Sequence, residues 1–201
     1  MDLAKSDTGP APSTRSGSLS IGEQGHYDVS RKRALIHAMT NSDLKMHLAR
    51  PANAIAIANM SRGLIEYGLP WRWTAKRVEA SIGAKNVNVL VARIDDRIIG
   101  FGIMRYGNDD AHLDLFAVAP EYRRLGVGRQ LLEWLEKCAV VAGIFRVALE
   151  VRASNNAAQQ FYQRMGYRPL TQLPGYYQGT EAALRMSRDL SRAQPSPLAK
   201  P

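Results

Sequence analysis

The alternation of apolar and polar positions divides the chain into a patterned middle and two unpatterned ends. Met1 to about Arg31 is rich in Ser, Gly and Pro and shows no periodicity, a composition expected to stay disordered. Arg31–Thr40 reads as a short helix or a loose leader, and Arg192–Pro201 as a second tail broken by Pro195 and Pro197. The expected organisation is a tail over 1–40, one domain over 41–190 and a tail over 191–201. In the middle, Leu44–Leu48 is a short strand candidate. Asn53 is a plausible helix cap, and Ile57, Met60, Leu64 and Ile65 recur at helical spacing until Gly68 and Pro70. Thr74 caps a second helix, with Ala75, Val78 and Ile82 on one face and Gly83 at its end.

The period then changes to two. Val87–Ile94 and Ile98–Tyr106 are β-rich runs around an Asp95-Asp96-Arg97 turn, and Gly107–Asp110 leads into a third strand, His112–Val118. Gly126–Ala142 returns to helical spacing, with Leu131, Leu132, Leu135, Cys138, Ala139 and Ala142 on one stripe. That stripe makes Cys138 a core residue rather than a nucleophile. In the strand Arg146–Val151, Val147, Leu149 and Val151 share one face, and Ala148 and Glu150 the other. Ser154 or Asn155 caps a last helix, with Ala158, Phe161, Tyr162 and Met165 inward and Gly166 at its end. A strand from Tyr167, a loop over Gly175–Gly179 and a closing strand, Ala182–Arg188, complete the chain. Consecutive antiparallel strands followed by strand–helix alternation point to a mixed α+β fold, not a doubly wound one.

Composition narrows the function. The 201 residues carry a net charge of +9, 45% hydrophobic residues and one cysteine. One cysteine excludes an internal disulfide or a cysteine-based zinc site. No apolar run is long enough to span a membrane, and no secretory signal opens the chain, so a cytoplasmic protein without membrane attachment is expected. The positive charge suits an anionic ligand. No basic strand is interleaved with aromatics, so dedicated nucleic-acid binding is not expected. No metal-ligand spacing is present.

The stretch richest in chemistry is LDLFAVAPEYRRLGVGRQ, Leu113–Gln130. A buried strand stops at Pro120, and a basic turn with Gly126 and Gly128 opens a helix. Glycines permit close backbone approach, a helix start favours phosphate oxygens, and arginines add charge-assisted hydrogen bonds. The stretch is neither a Walker loop nor a dinucleotide fingerprint. A plain packing corner and a pyrophosphate cradle are both consistent with the residues alone. The spacing Arg123-x-x-Gly126-x-Gly128 after Val118-x-Pro120 resembles the acyl-CoA signature of the GNAT family of N-acetyltransferases. LEVRASN from Leu149, FYQRMGY from Phe161 and the Tyr176-Tyr177 pair resemble, more narrowly, its ribosomal-protein alanine N-acetyltransferase branch. The resemblance covers roughly Leu44–Leu190 and is sharpest from Val118 to Tyr177.

That resemblance implies a GNAT fold: a largely antiparallel sheet of six to seven strands with a splayed pair, flanked by about four helices. It implies acetyl-CoA as co-substrate, no metal, and a monomer or homodimer. Phe116, Ala117 and Val118 would hold the pantetheine arm and polarise the thioester. Arg123, Arg124, Leu125, Gly126, Val127, Gly128 and Arg129 would hold the diphosphate, and Asn155 would touch the cofactor while capping a helix. Glu150 would act as base toward the acceptor amine and Tyr162 as acid toward the leaving thiolate, its ordinary pKa of about 10 keeping it protonated at neutral pH. Asp114 is a rival base, and His112 another, although a lone histidine near a strand start is more often structural. Trp71, Trp73, Asp114, Tyr176 and Tyr177 are candidate acceptor contacts, the two tryptophans being alternatively packing anchors. The expected acceptor is a protein N-terminal α-amino group. The alternatives are a small amine (polyamine, amino acid or antibiotic) or a non-catalytic acyl-CoA-binding module.

Overall fold

The computed structural model describes residues 44–191. The tails and the Arg31–Thr40 segment lie outside the described residues. Seven strands form one sheet in the order β1-β2-β3-β4-β5-β7-β6. They are β1 (Lys45–Leu48), β2 (Val87–Ile94), β3 (Arg97–Tyr106), β4 (Ala111–Val118), β5 (Arg146–Arg152), β6 (Arg168–Tyr177) and β7 (Glu181–Asp189). The helices are α1 (Ala54–Leu64), α2 (Ala75–Gly83), α3 (Val127–Val141) and α4 (Asn156–Arg164). Every pairing is antiparallel except β4 with β5.

Two cores cover the two faces. Ile57, Ala58, Val78, Val89, Val91, Phe101 and Ile103 close one face under α1 and α2. Leu131, Leu132, Leu135, Leu90, Val147, Leu149 and Tyr162 close the other under α3 and α4. Each fully buried leucine of α3 contributes about 1.5–3 kcal/mol relative to exposure. α3 lies tight against β3 because glycines stand where its leucines arrive. A Cβ on Gly102 would come within 2.7 Å of Leu135 Cδ1, and one on Gly100 within 3.0 Å of Leu131 Cδ1.

Two irregularities position the site. The β3–β4 register passes from Ile103↔Leu115 to Met104↔Leu113, which leaves Asp114 as an extra residue, a bulge. The bulge reverses the parity of the strand. Leu113 packs with the α3 core, whereas Leu115 and Ala117 pack with the α1/α2 core. The second irregularity is the β4–β5 ladder, which consists of Ala111↔Val147 and His112↔Ala148. Beyond those pairs the strands diverge, the splay that the sequence resemblance implied.

Three local expectations are corrected. Gly175–Tyr177 is not a loop: β6 runs through it to Tyr177, and the turn falls on Gln178 and Gly179, with φ of 58° and 75°. On α3, Ala142 is exposed and Cys138 only half-buried, because the inner stripe is completed by Glu136 instead. Asn53 precedes α1 but its side chain accepts from no α1 amide; its Oδ1 accepts instead from the Arg50 amide at 2.8 Å. Thr74 does cap α2, accepting from the Arg77 amide.

Candidate active site

The turn before α3 is built for close approach. After a single 3-10 turn, Pro120–Tyr122, the backbone takes positive φ at Arg124 (67°) and Gly126 (83°), and α3 begins at Val127. No side chain caps the helix start, so its first amides have no intrahelical acceptor. Arg123 Nε donates to the Val118 carbonyl at 3.0 Å, and Arg129 pairs with Glu133 at 2.7 Å. Arg124 is exposed and has no ion pair among the described residues. A Cβ on Gly128 would meet only ordinary contact with the Phe161 ring, at 3.5 Å. The uncapped amides, the left-handed backbone and the adjoining guanidinium groups suit a diphosphate.

The main chain of β4 continues this surface. The Ala119 amide bonds to Ile99 of β3. Because antiparallel residues alternate in direction, Ala117 also points its amide and carbonyl to β3, while Phe116 and Val118 point theirs into the splay. The ring of Phe116 stacks on Phe161 at 5.8 Å and 16°. Tyr162 joins them from α4, edge-on to Phe161 and to Tyr167. Burial pushes the Tyr162 phenol well above its ordinary pKa, with nearby Tyr177 adding to the effect. No fully buried side-chain polar atom lacks a partner among the described residues, yet none of those residues hydrogen-bonds the Tyr162 hydroxyl. Its ring is therefore buried while its oxygen is not completely sealed from solvent.

Glu150 lies on the opposite face, since the odd residues of β5 fill the α3 core. Its carboxylate accepts from Arg185 Nε at 2.7 Å and from His112 Nε2 at 2.8 Å, with the Tyr176 hydroxyl at 3.4 Å. His112 Nδ1 in turn donates to Asp114 Oδ1 at 2.8 Å, and Arg105 grips Asp114 at 2.6 Å. Both imidazole nitrogens face carboxylates, so the ring is an imidazolium. The Asp114 contact first, and then Glu150, push its pKa up to about 9 against the cost of burial. The His112 hydrogen bond, with Arg185 behind it, outweighs burial and holds Glu150 below the usual carboxylate range. Burial alone would raise Asp114, but His112 and Arg105 together hold it down.

The remaining acceptor candidates gather on the same side. Arg152 Nη2 donates to the carbonyls of Ile65 and Tyr67, and its guanidinium lies 5.2 Å from the Tyr177 ring centre. This clasps the α1–α2 connector to the end of β5. Burial and then Tyr176 push the Tyr177 phenol up to about 12. In the connector, Trp73 packs on the α1/α2 core while Trp71 is more than a third exposed. Asn155 Oδ1 accepts from the Ala158 amide and caps α4. Two shallow concavities near Asn53 and Arg93 contain none of these residues.

The model of the Acetyltransferase (GNAT) family matches residues 54–167, which takes in the cradle, the splay, Glu150 and Tyr162. The chain belongs to the GNAT family. It is similar to the [ribosomal protein bS18]-alanine N-acetyltransferase of Salmonella typhimurium, 36% identical over 122 residues that cover 59% of this chain and 82% of that one. The crystal structure of the Escherichia coli ribosomal-protein-S18-alanine N-acetyltransferase superposes with a TM-score of 0.64 at 26% identity, over 78% of this chain and 99% of that chain. Arabidopsis thaliana NAA60, solved in complex with acetyl-CoA, shares the fold at 17% identity, with a TM-score of 0.64 over 74% and 99%. The chain is thus a GNAT acetyltransferase with the mixed sheet and four helices of that family.

Sequence reasoning missed three groups. Glu66 is buried, and its carboxylate collects the Ser61 hydroxyl and the Arg72 and Trp73 amides. Glu136 is buried against Arg188 and Tyr167. Arg185 holds Glu150 from the neighbouring strand. A cue for Arg185 was the closing strand itself, since any antiparallel neighbour of β5 had to place some side chain beside Glu150.

Proposed function

We propose that this chain is an acetyl-CoA-dependent transferase whose acceptor is the N-terminal α-amino group of a protein. The observation that carries the reading is the pair Glu150 and Tyr162, set on opposite faces of the sheet where β4 and β5 part. A thioester held along the α3 side would meet an amine arriving from the α1–α2 side at that opening.

The residues divide the work as follows. The uncapped amides of Gly126–Arg129 and the guanidinium of Arg124 bind the diphosphate. The main-chain groups of Phe116 and Val118 hold the amide arm and donate to the thioester oxygen. The acceptor loses a proton before its nitrogen attacks the carbonyl carbon. Glu150, ionised throughout the neutral range, orients the amine and takes that proton through water. The C–S bond then breaks, the Tyr162 hydroxyl, kept protonated by burial, gives its proton to the departing sulfur, and the second proton shed by the acetylated nitrogen restores the phenol. A peptide acceptor is supported by the exposed aromatic rim of Tyr67, Trp71 and Tyr176, which leaves room for a chain beyond the amine.

Free-thiol release with acetyl-CoA, comparing an alanine-starting peptide with a panel of small amines, tests the reading. Peptide turnover is expected. Glu150→Gln should lose most of it near neutral pH and regain part at high pH, where the amine is already neutral. Turnover confined to small amines would refute the acceptor assignment. Absence of any thermal stabilisation by acetyl-CoA would refute the co-substrate.

A further inference from the structure

Seven arginines in the folded region have a carboxylate partner: Arg93, Arg97, Arg105, Arg129, Arg152, Arg185 and Arg188. The stretch from the last turn of α1 through the connector to the first turn of α2 is different. From Arg62 to Arg77 it carries four cationic side chains and one carboxylate. That carboxylate, Glu66, is turned inward and occupied by a hydroxyl and two main-chain amides. Arg62, Arg72 and Arg77 have no carboxylate partner among the described residues, and Glu79 on α2 pairs with none of them.

Two of these arginines are nevertheless held in place. The Arg62 guanidinium lies 4.9 Å from the Trp71 ring centre and that of Arg77 lies 4.2 Å from the Trp73 ring centre. Stacking occupies the flat face of a guanidinium and leaves its in-plane N–H groups open, the groups that grip a carboxylate. An ordered cation also loses less side-chain freedom when an anion arrives than a free one does. The connector is fixed beside the acceptor floor by the Arg152 clasp, two residues beyond Glu150. A chain that presents its amine near Glu150 would run out past this stretch.

We propose that the acceptor is an acidic N-terminus, in which the residues following the acetylated one carry carboxylates that bind Arg62, Arg72 and Arg77. The proposal rests on the peptide-acceptor reading above and specifies its substrate class. It also gives Trp71 and Trp73 a use, as platforms that aim cations rather than as walls against a small ligand.

Three alanine-starting peptides of equal length separate the outcomes, with aspartate, serine or lysine at positions two to four. The full-length protein with acetyl-CoA should show kcat/KM for the acidic peptide roughly tenfold above that for the serine peptide, with the lysine peptide lowest. Salt should shrink the preference. Arg62→Gln/Arg77→Gln should remove most of it by raising KM for the acidic peptide, while kcat for the serine peptide stays unchanged. Arg72→Glu, a change at an unstacked side chain, should do the same where the double variant folds poorly. Equal turnover of all three peptides, or a preference that survives both variants, would overturn the proposal and leave the peptide-acceptor reading standing. No turnover of any peptide, with small amines accepted, would overturn both.

Discussion

Replacing His112 with glutamine tests whether an imidazolium joins β4 to β5 where their ladder ends. Glutamine keeps roughly the length and one donor but carries no charge. In the native protein the ring lies 2.8 Å from both Asp114 and Glu150, and its pKa is pushed from 6.5 up to about 9, chiefly by the hydrogen bond to Asp114. A group whose folded pKa lies above its unfolded value stabilises the fold fully below the unfolded pKa. That contribution is surrendered as pH rises through the folded one. The window is therefore pH 6.5 to 9, and the difference corresponds to about 3 kcal/mol at most. The ring is 31% exposed, so screening reduces the expected figure to about 1–2 kcal/mol. Asp114 and Glu150 are both held below their ordinary range; their contribution is lost only as pH falls into the acid range and is constant across this window. Urea, which is uncharged, would unfold both proteins at about pH 6 and about pH 9.5. The native protein should lose about 1–2 kcal/mol more than His112→Gln between the two conditions, and groups common to both cancel. Equal losses would mean that the ring is neutral in the fold and that the carboxylate–imidazolium–carboxylate assignment is wrong.

Three further outcomes follow from geometry. Tyr162→Phe removes a hydroxyl without a hydrogen-bond partner among the described residues, so stability and acetyl-CoA affinity should hold while turnover falls on the order of a hundredfold; loss of acetyl-CoA binding by calorimetry would make the residue structural instead. Gly102→Ala sets a Cβ 2.7 Å from Leu135 Cδ1 and 3.1 Å from Phe116 Cδ2, which should cost about 1–3 kcal/mol in urea unfolding; a neutral result would mean that α3 can shift freely. Gly126→Ala meets nothing closer than Gln130 Nε2 at 3.9 Å. Its cost is backbone strain at φ 83°, about 1 kcal/mol, and acetyl-CoA affinity should weaken as the adjoining amides move; unchanged affinity would remove those amides from the cradle.

The sequence was most legible where a single period ran uninterrupted. Leu131, Leu132, Leu135 and Ala139 on α3, the alternation in β5 and the Thr74 and Asn155 caps are local features, and they are found where the pattern puts them. Legibility failed where tertiary partners redefine a residue. Glu136 carries no local signal of burial, yet Arg188 and Tyr167 satisfy it inside the core. The bulge at Asp114 has no local signature, because it exists only in the register between two strands. Without it, the period-two reading of β4 puts Leu113 and Leu115 on one face, whereas they fill different cores. His112 looked like an isolated histidine because its partners are two residues away on its own strand and on a strand thirty-eight positions later. The continuation of β6 through Gly175 was hidden by glycines that ordinarily mark loops, and here accompany a register shift against β7.

An ordinary open sheet ends in two edges. Because β4 and β5 separate after His112, this one has four, and the inner two face each other in the middle of the molecule. Unpaired strand groups on an outer rim are an invitation to stray chains. Flanked by helices on both faces, the same groups instead form a slot that admits something slender, polyamide-like and no thicker than a strand. A missing stretch of ladder thereby leaves a recess walled by main-chain groups rather than by side chains.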